Sequence, residues 1–194
     1  MKSFFTPSVR HFLLMLSFSV FVSESIAQDV PVSKFQWGVA IFPGISARVD
    51  REGVTGARPG LDVGLEVGKV FGNQNRWKWG TGLYLLDKGG KNLNTQVIHH
   101  HYYLHLPLTI SRYWGNVYIG AGPAVEYWVA SRSMKNGKEN SYTPSTASFL
   151  LAGKGYLGYQ WKLTRRTSLR TELVAFPSAI EQYTNFDLGI ALQW

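Results

Sequence analysis

The chain has 194 residues, 45% of them hydrophobic and 14% aromatic, which fits one folded domain and excludes a disordered or collagen-like protein. Twenty glycines, seven tryptophans and a charged fraction of 16% favour short strands joined by turns over a helical bundle. Cysteine is absent, which excludes a disulfide framework and a lipidated N-terminal cysteine, and the net charge of +8 comes from scattered basic residues, so no nucleic-acid partner is predicted.

The first 27 residues have the features of a secretory signal. Lys2 and Arg10 supply a basic start, residues 12–22 form an apolar core, and Ser25-Ile26-Ala27 places small residues before a cleavage site. A transmembrane helix is the alternative, but a helix needs about 20 apolar residues to cross a bilayer. We therefore predict a signal peptide over 1–27, removed on export, and a mature domain over 28–194.

From residue 35 onward the sequence alternates apolar and polar residues with a period of two, which is typical of β-strands. The last segment shows it most clearly, because Phe186, Leu188 and Ile190 fall on one face and Asp187 and Gly189 on the other. The alternation predicts eight strands, at 35–42, 61–68, 77–86, 103–111, 117–129, 149–161, 169–175 and 185–194. An even number of strands is typical of a bacterial single-chain barrel.

The charged residues of these strands share the polar face, and the apolar face of the same spans carries none. They are Asp62, Glu66, Lys78, Glu126, Lys154, Arg170, Glu172 and Asp187. A charge that faces lipid costs about 2–4 kcal/mol at the bilayer midplane, so a charge-free face indicates contact with a membrane. We predict an eight-stranded antiparallel up-and-down transmembrane barrel, with these residues and Arg76 in a nearly neutral lumen network. A soluble, lipocalin-like carrier is the alternative, and it would need the charged face outside.

The connections between the predicted strands alternate in length. Tight turns are expected around 72–75, 114–116 and 163–166, and longer loops around 43–60, 87–98, 131–146 and 176–183. Short periplasmic turns and long extracellular loops are the pattern of outer membrane barrels. The sequence therefore predicts an outer membrane location, with lipid and lipopolysaccharide as surroundings.

Aromatic residues cluster at the predicted strand ends. An inner girdle is expected from Trp37, Trp77, Trp79, Trp114, Trp161 and Trp194. An outer girdle is expected from Tyr102, Tyr127, Phe149 and Phe186, with Trp128 also near the outer rim. The final strand ends on Trp194, which resembles the C-terminal signal by which such barrels are recognised for insertion. This implies the barrel assembly machinery as a partner.

Two short motifs suggest a family. Residues 103–108 read Tyr-Leu-His-Leu-Pro-Leu, and residues 118–123 read Tyr-Ile-Gly-Ala-Gly-Pro. They resemble the middle strands of the outer membrane barrels of Bacteroidetes that are often labelled PorT-like, although His105 stands where that family usually has glutamate. The resemblance implies a Gram-negative cell-envelope protein, and one branch of the family is associated with type IX secretion.

Four histidines lie close together in the sequence. His99, His101 and His105 share one face of a predicted strand, and the first two lie about 6–7 Å apart, so two imidazoles could share a metal ion. A polar strand end is the alternative, since no cysteine or carboxylate spacing completes a site. We predict no bound metal and no cofactor.

The width of the barrel and the absence of catalytic motifs decide the predicted function. Eight strands leave an interior just wide enough for the chain's own side chains, which excludes an open pore, although a proton or ion path through the lumen charges is an alternative. A membrane-embedded lipid-modifying enzyme built on His101, Asp87 and Ser131 is the rival, but no nucleophile motif supports it. We predict a non-enzymatic protein with a structural, adhesion or assembly role, in contact with an unidentified envelope partner.

Overall fold

The computed structural model describes residues 35–48, 55–72, 76–142, 149–178 and 183–194, so the predicted signal peptide lies outside the described residues. Ten strands are present in chain order. They are β1 (Gln36–Arg48), β2 (Thr55–Gly56), β3 (Arg58–Phe71), β4 (Trp77–Asn92), β5 (Ile98–Trp114), β6 (Val117–Lys135), β7 (Lys138–Tyr142), β8 (Phe149–Lys162), β9 (Ser168–Pro177) and β10 (Tyr183–Gln193). Within the described ranges, no helix has the length and apolar character needed to cross a membrane.

Eight of these strands close into an antiparallel barrel. Each pairs with its neighbours in the order β1, β3, β4, β5, β6, β8, β9 and β10, and β10 pairs back onto β1. The short strands β2 and β7 lie outside this ring and extend β4 and β6. The predicted fold class, an all-β barrel of eight up-and-down strands, is therefore confirmed.

Side chains alternate between the two faces of the barrel wall, as the period of two requires. In β3, Leu61 is 57% exposed and the adjacent Asp62 is 1% exposed. The outer face carries exposed Leu, Val, Ile and Phe side chains along all eight barrel strands, and the charged side chains predicted for the lumen lie inside. This is the reverse of what a soluble carrier requires, because water would be in contact with the apolar face.

The two ends of the barrel differ. The turns at 115–116 and 163–167 lie at one end of the barrel, together with the adjoining ends of β3 and β4 and both ends of the described barrel chain. This end is here called the turn end. Gly115 at the β5–β6 turn has a φ of +61°, a conformation that glycine adopts without strain. The opposite end, here called the hairpin end, carries the longer connections between strand pairs.

Three connections predicted as loops are largely strand. The predicted loop 43–60 is wrong at both ends, because β1 runs to Arg48 and β3 begins at Arg58. The predicted loop 87–98 is wrong over most of its length, because β4 continues to Asn92 and β5 begins at Ile98. The predicted loop 131–146 is wrong at its start, because β6 runs to Lys135 and pairs with β7. These strands continue where the sequence becomes polar. Polar side chains can face the lumen of the barrel, just as apolar side chains face outward.

Candidate functional site

The eight residues predicted for the lumen are all buried inside the barrel. In the half nearer the turn end, Glu66 is the centre of their contacts. Its carboxylate forms an ion pair with Arg170 and accepts hydrogen bonds from the Tyr84 hydroxyl at 2.5 Å and from Lys154 Nζ at 3.2 Å. Arg170 also lies 3.0 Å from a Glu172 carboxylate oxygen. Four strands, β3, β4, β8 and β9, are thus linked across the interior.

Lys78 enters the same half of the barrel from the start of β4, and its side chain is 5% exposed. Its Nζ has no hydrogen-bond partner among the described residues. The nearby Glu172 carboxylate instead accepts a hydrogen bond from the Tyr118 hydroxyl at 2.6 Å. Lys78 is therefore a buried ammonium group without a direct ion pair.

A second ionic cluster ties together β4, β5 and β6. Lys88 Nζ donates to Glu126 at 2.6 Å and to the carbonyl of Phe176 at 3.0 Å, and His105 Nδ1 lies 2.8 Å from the same Glu126 oxygen. Sequence reasoning placed Lys88 in a loop and missed it. The signal was present, because Tyr84, Leu86 and Lys88 continue one period-two face.

Asp62 and Asp187 form a third group, nearer the hairpin end. Asn185 donates its side-chain amide to Asp62 at 2.7 Å, and the backbone N–H of Asp87 donates to the other Asp62 oxygen at 2.7 Å. Gly44 lies beside this group, and a Cβ built on it would meet the Asp187 carboxylate at 1.8 Å. Neutral donors therefore hold Asp62, and Asp187 occupies the space that a glycine leaves.

Arg58 closes the interior at the hairpin end. Its guanidinium forms an ion pair with Asp87 and donates to the carbonyls of His99 at 2.9 Å and Lys88 at 2.9 Å. The Asp87 carboxylate also lies 3.1 Å from His100 Nδ1. Asp87 is thus committed to Arg58 and His100.

A β-bulge in β6 shapes the rim at the hairpin end. Tyr103 pairs with Trp128 and Tyr102 with Ala130, so Val129 is the extra residue. The bulge brings Ser131 opposite His101, and His101 Nδ1 lies 2.6 Å from Ser131 Oγ. Trp128 packs against the interior and also donates to Ser131 Oγ, at 3.0 Å.

Of the three residues considered for a lipid-modifying enzyme, the structure therefore brings His101 and Ser131 together and places Asp87 with other partners. The three metal candidates are separated as well. His99 and His101 stack with ring centroids 6.2 Å apart, whereas His105 lies deeper in the barrel against Glu126. Among the described residues, no group of three potential ligands could hold a metal ion.

Arg76 was wrongly assigned to the lumen. Its side chain is exposed at the β3–β4 turn, where its carbonyl accepts a hydrogen bond from the backbone of Tyr113. Position 76 precedes the first residue of β4, so the inward alternation that buries Lys78 does not yet apply there.

The tryptophans predicted for the inner girdle lie near the turn end of the barrel. Trp37 and Trp194 exchange backbone hydrogen bonds where β1 meets the last residue of the chain, and Trp77 and Trp114 border two of the tight turns. Five of the six side chains are exposed and Trp79 is half-buried. The Arg112 guanidinium lies 5.3 Å and 5.2 Å from the ring centroids of Trp77 and Trp114. At the hairpin half, Phe149 and Phe186 are exposed, and Tyr127 contacts Phe149 with ring centroids 5.2 Å apart.

Two solved structures are similar to this barrel. Neisserial surface protein A is 11% identical with a TM-score of 0.51, over 83% of this chain and 96% of that chain. Ail, the attachment invasion locus protein of Yersinia pestis, is 11% identical with a TM-score of 0.51, over 84% of this chain and 100% of that chain. No protein-family model and no curated protein sequence matches the chain. At this identity the likeness shows the fold alone.

Proposed function

We propose that this chain is a non-enzymatic integral protein of the outer membrane of a Gram-negative bacterium, exported by a signal peptide over 1–27 and embedded as a barrel over 28–194. The observation that carries the proposal is the inversion of the barrel, with charged side chains inside and apolar ones outside. Hydrocarbon is the solvent in which that arrangement is stable. The outer membrane barrels that share the fold support the same placement.

In this proposal the turn end faces the periplasm and the hairpin end faces the cell exterior. The tryptophans at the turn end then lie at the inner lipid interface, and the aromatic residues of the hairpin half lie among lipopolysaccharide. The barrel assembly machinery would insert the chain through its final strand, which pairs with β1 to close the barrel. The proposal also includes a place in the PorT-like family of Bacteroidetes barrels, for which the resemblance of residues 103–108 and 118–123 is the support.

The lumen would act as a plug instead of a pore. Phe42, Tyr84 and Phe176 pack with ring centroids 5.7–6.0 Å apart in the middle of the barrel, and ionic clusters lie on both sides of them. Purified protein in a planar lipid bilayer is expected to show no steady conductance, with a known porin as the positive control. Stable, ohmic single-channel steps from the wild-type protein would overturn the plugged barrel.

The projecting hairpins are the surfaces through which the protein would contact a partner, whether an adhesion target or another envelope protein. The β6–β7 hairpin carries Lys135 and Lys138 beside an exposed turn, and the ion pair of Arg132 with Glu139 at 2.8 Å braces it. Cells that express the wild type are expected to bind an adhesion target or an envelope fraction. Cells in which residues 134–139 are replaced by Gly-Gly are expected to lose this binding. Equal binding, at equal surface expression, to every surface and envelope fraction tested would exclude this hairpin as the contact.

The contact of His101 with Ser131 supports a second candidate, a lipid-modifying enzyme at the outer rim. An imidazole 2.6 Å from a hydroxyl is the geometry in which a base can activate a serine. Trp128 competes for the same oxygen, and Asp87 is held by Arg58 and His100. The composition of membrane lipids in cells with Ser131→Ala is expected to equal that of the wild type. A lipid species lost in Ser131→Ala and His101→Ala cells would instead favour the enzyme.

A further inference from the structure

The turn half of the lumen contains a small cavity with about 20 Å³ of space for the centres of water-sized groups, which is room for one small molecule or ion. Its walls are polar and strongly charged. The residues that matter here are Glu66, Lys78, Thr109, Lys154, Arg170 and Gln193. The cavity lies next to the Glu66 cluster and is separate from the surfaces used in the proposed function.

The charges around this cavity do not balance. Lys78, Lys154 and Arg170 are the basic groups here, and Glu66 and Glu172 are the two carboxylates that face them. Glu66 is used by Arg170 and Lys154, and Glu172 by Arg170, so with all five groups ionised one positive charge, that of Lys78, has no counter-charge. The other polar groups here are neutral hydroxyls. Those of Tyr84, Thr109 and Tyr156 line the cavity, and those of Tyr113 and Tyr118 lie near Arg170 and Glu172.

Buried hydrogen-bond donors also face the cavity without acceptors. Lys78 Nζ, Arg170 Nε and Gln193 Nε2 have no partner among the described residues, and the acceptor Gln193 Oε1 has none either; each of these side chains is at most 5% exposed. A buried donor without an acceptor costs about 1–3 kcal/mol, and more when it is charged. Glu172 Oε2 also has no hydrogen-bond partner among the described residues. A contact between Lys78 and this oxygen would not remove the surplus positive charge, because the charge of Glu172 is already included in the sum.

A water molecule could accept these hydrogen bonds, but it would leave the positive charge in a low-dielectric interior. A small anion supplies both the lone pairs and the charge. We propose that this cavity binds a small monovalent inorganic anion, with Lys78 Nζ as its counter-charge and the amide of Gln193 as a neutral donor. The site is structural, and it is independent of what the hairpins bind.

Chloride is the probe for this site. The mature protein, folded in a zwitterionic detergent, is heated at constant ionic strength while sodium chloride replaces sodium gluconate, whose anion is too large for the cavity. We expect the midpoint of thermal unfolding to rise with chloride and to saturate. Lys78→Met should lose this rise, and Lys135→Met, which removes the same charge from the exposed β6–β7 hairpin, should keep it. A wild type indifferent to chloride, or a Lys78→Met variant that keeps the rise, would overturn the proposal.

A second measurement does not depend on any variant folding. Crystals of the wild-type protein soaked in sodium bromide should show an anomalous peak within hydrogen-bond distance of Lys78 Nζ. Electron density for water alone at that position, without an anomalous peak, would refute the site. Bromide bound only at surface arginines would refute it as well.

Discussion

Lys88 Nζ lies 2.6 Å from Glu126 Oε1, and both side chains are completely removed from solvent. The two residues come from β4 and β6, which are separated in the barrel wall by β5. The pair therefore bridges across a strand, and His105 of that strand contacts the same carboxylate. This contact is one of the places where the interior holds the cylinder together from within.

Removing one partner of this ion pair should destabilise the barrel more than removing both partners. Lys88→Met leaves Glu126 as an uncompensated buried charge, so we expect a loss of about 3–5 kcal/mol in the free energy of unfolding. The double variant Lys88→Met/Glu126→Leu should recover most of that loss. Urea unfolding in lipid vesicles, followed by tryptophan fluorescence and by the heat-dependent shift of the folded band on a gel, measures both. Additive losses in the double variant would contradict the buried ion pair.

The exposed apolar face should resist charge at mid-depth and tolerate it at the turn end. Leu188 is exposed in the middle of β10, and Leu163 is exposed in the β8–β9 turn. Leu188→Arg should destabilise the folded barrel in a bilayer by about 2–4 kcal/mol, and Leu163→Arg by about 0–1 kcal/mol. The free energy of unfolding in vesicles gives the comparison. Equal, small effects at the two positions would mean that lipid does not cover this face.

Gly122 is required by the close approach of two strands. A Cβ on Gly122 would lie 1.9 Å from the carbonyl oxygen of Leu108, whereas a Cβ on Gly155 meets nothing within 4 Å. Gly122→Ala should therefore cost about 1–3 kcal/mol through strain, and Gly155→Ala should be close to neutral. The same unfolding experiment tests both substitutions. If Gly155→Ala proved the more damaging of the two, the packing of β6 against its neighbours β5 and β8 would be wrong.

The absence of cysteine makes the orientation of the barrel directly measurable. Lys138→Cys introduces a thiol at the hairpin end, and Arg165→Cys introduces one at the turn end, where both native side chains are exposed. A maleimide that cannot cross the outer membrane should label Lys138→Cys in intact cells and Arg165→Cys only after the membrane is permeabilised. The opposite pattern would reverse the proposed topology, and labelling of both thiols in intact cells would contradict a turn end in the periplasm.

The alternation of apolar and polar residues was enough to predict most of the fold. A charge-free face and a charged face are visible in β3 and β10 without any structure, because every second residue must face the same solvent. The strand ends were harder. The prediction ended the strand that became β4 at Leu86, whereas β4 continues to Asn92. A charged residue on the inner face, such as Lys88, continues a strand of this barrel as well as a leucine on the outer face does.

The pairing inside the lumen could not have been predicted. Arg170 meets Glu66 across 104 positions of sequence, and which cation meets which carboxylate depends on the stagger between strands. The bulge at Val129 likewise has no signal in its own residues. For this reason the prediction could group His101, Asp87 and Ser131 near one rim but could not show that Asp87 belongs to Arg58.

The extra residue in β6 decides which side chains the projecting part of that strand turns toward the mouth of the barrel. With Val129 present, the hydroxyls of Ser131 and Ser133 stand opposite His101 and His99. If Val129 took part in regular pairing instead, with no bulge, every residue beyond it would move by one position along β5 and turn to the other face, which would bring Arg132 and Met134 to the mouth in their place. The chemical character of the opening is thus set by a local irregularity of the backbone, since no change of residue type is needed to convert a hydroxyl-lined entrance into a cationic one.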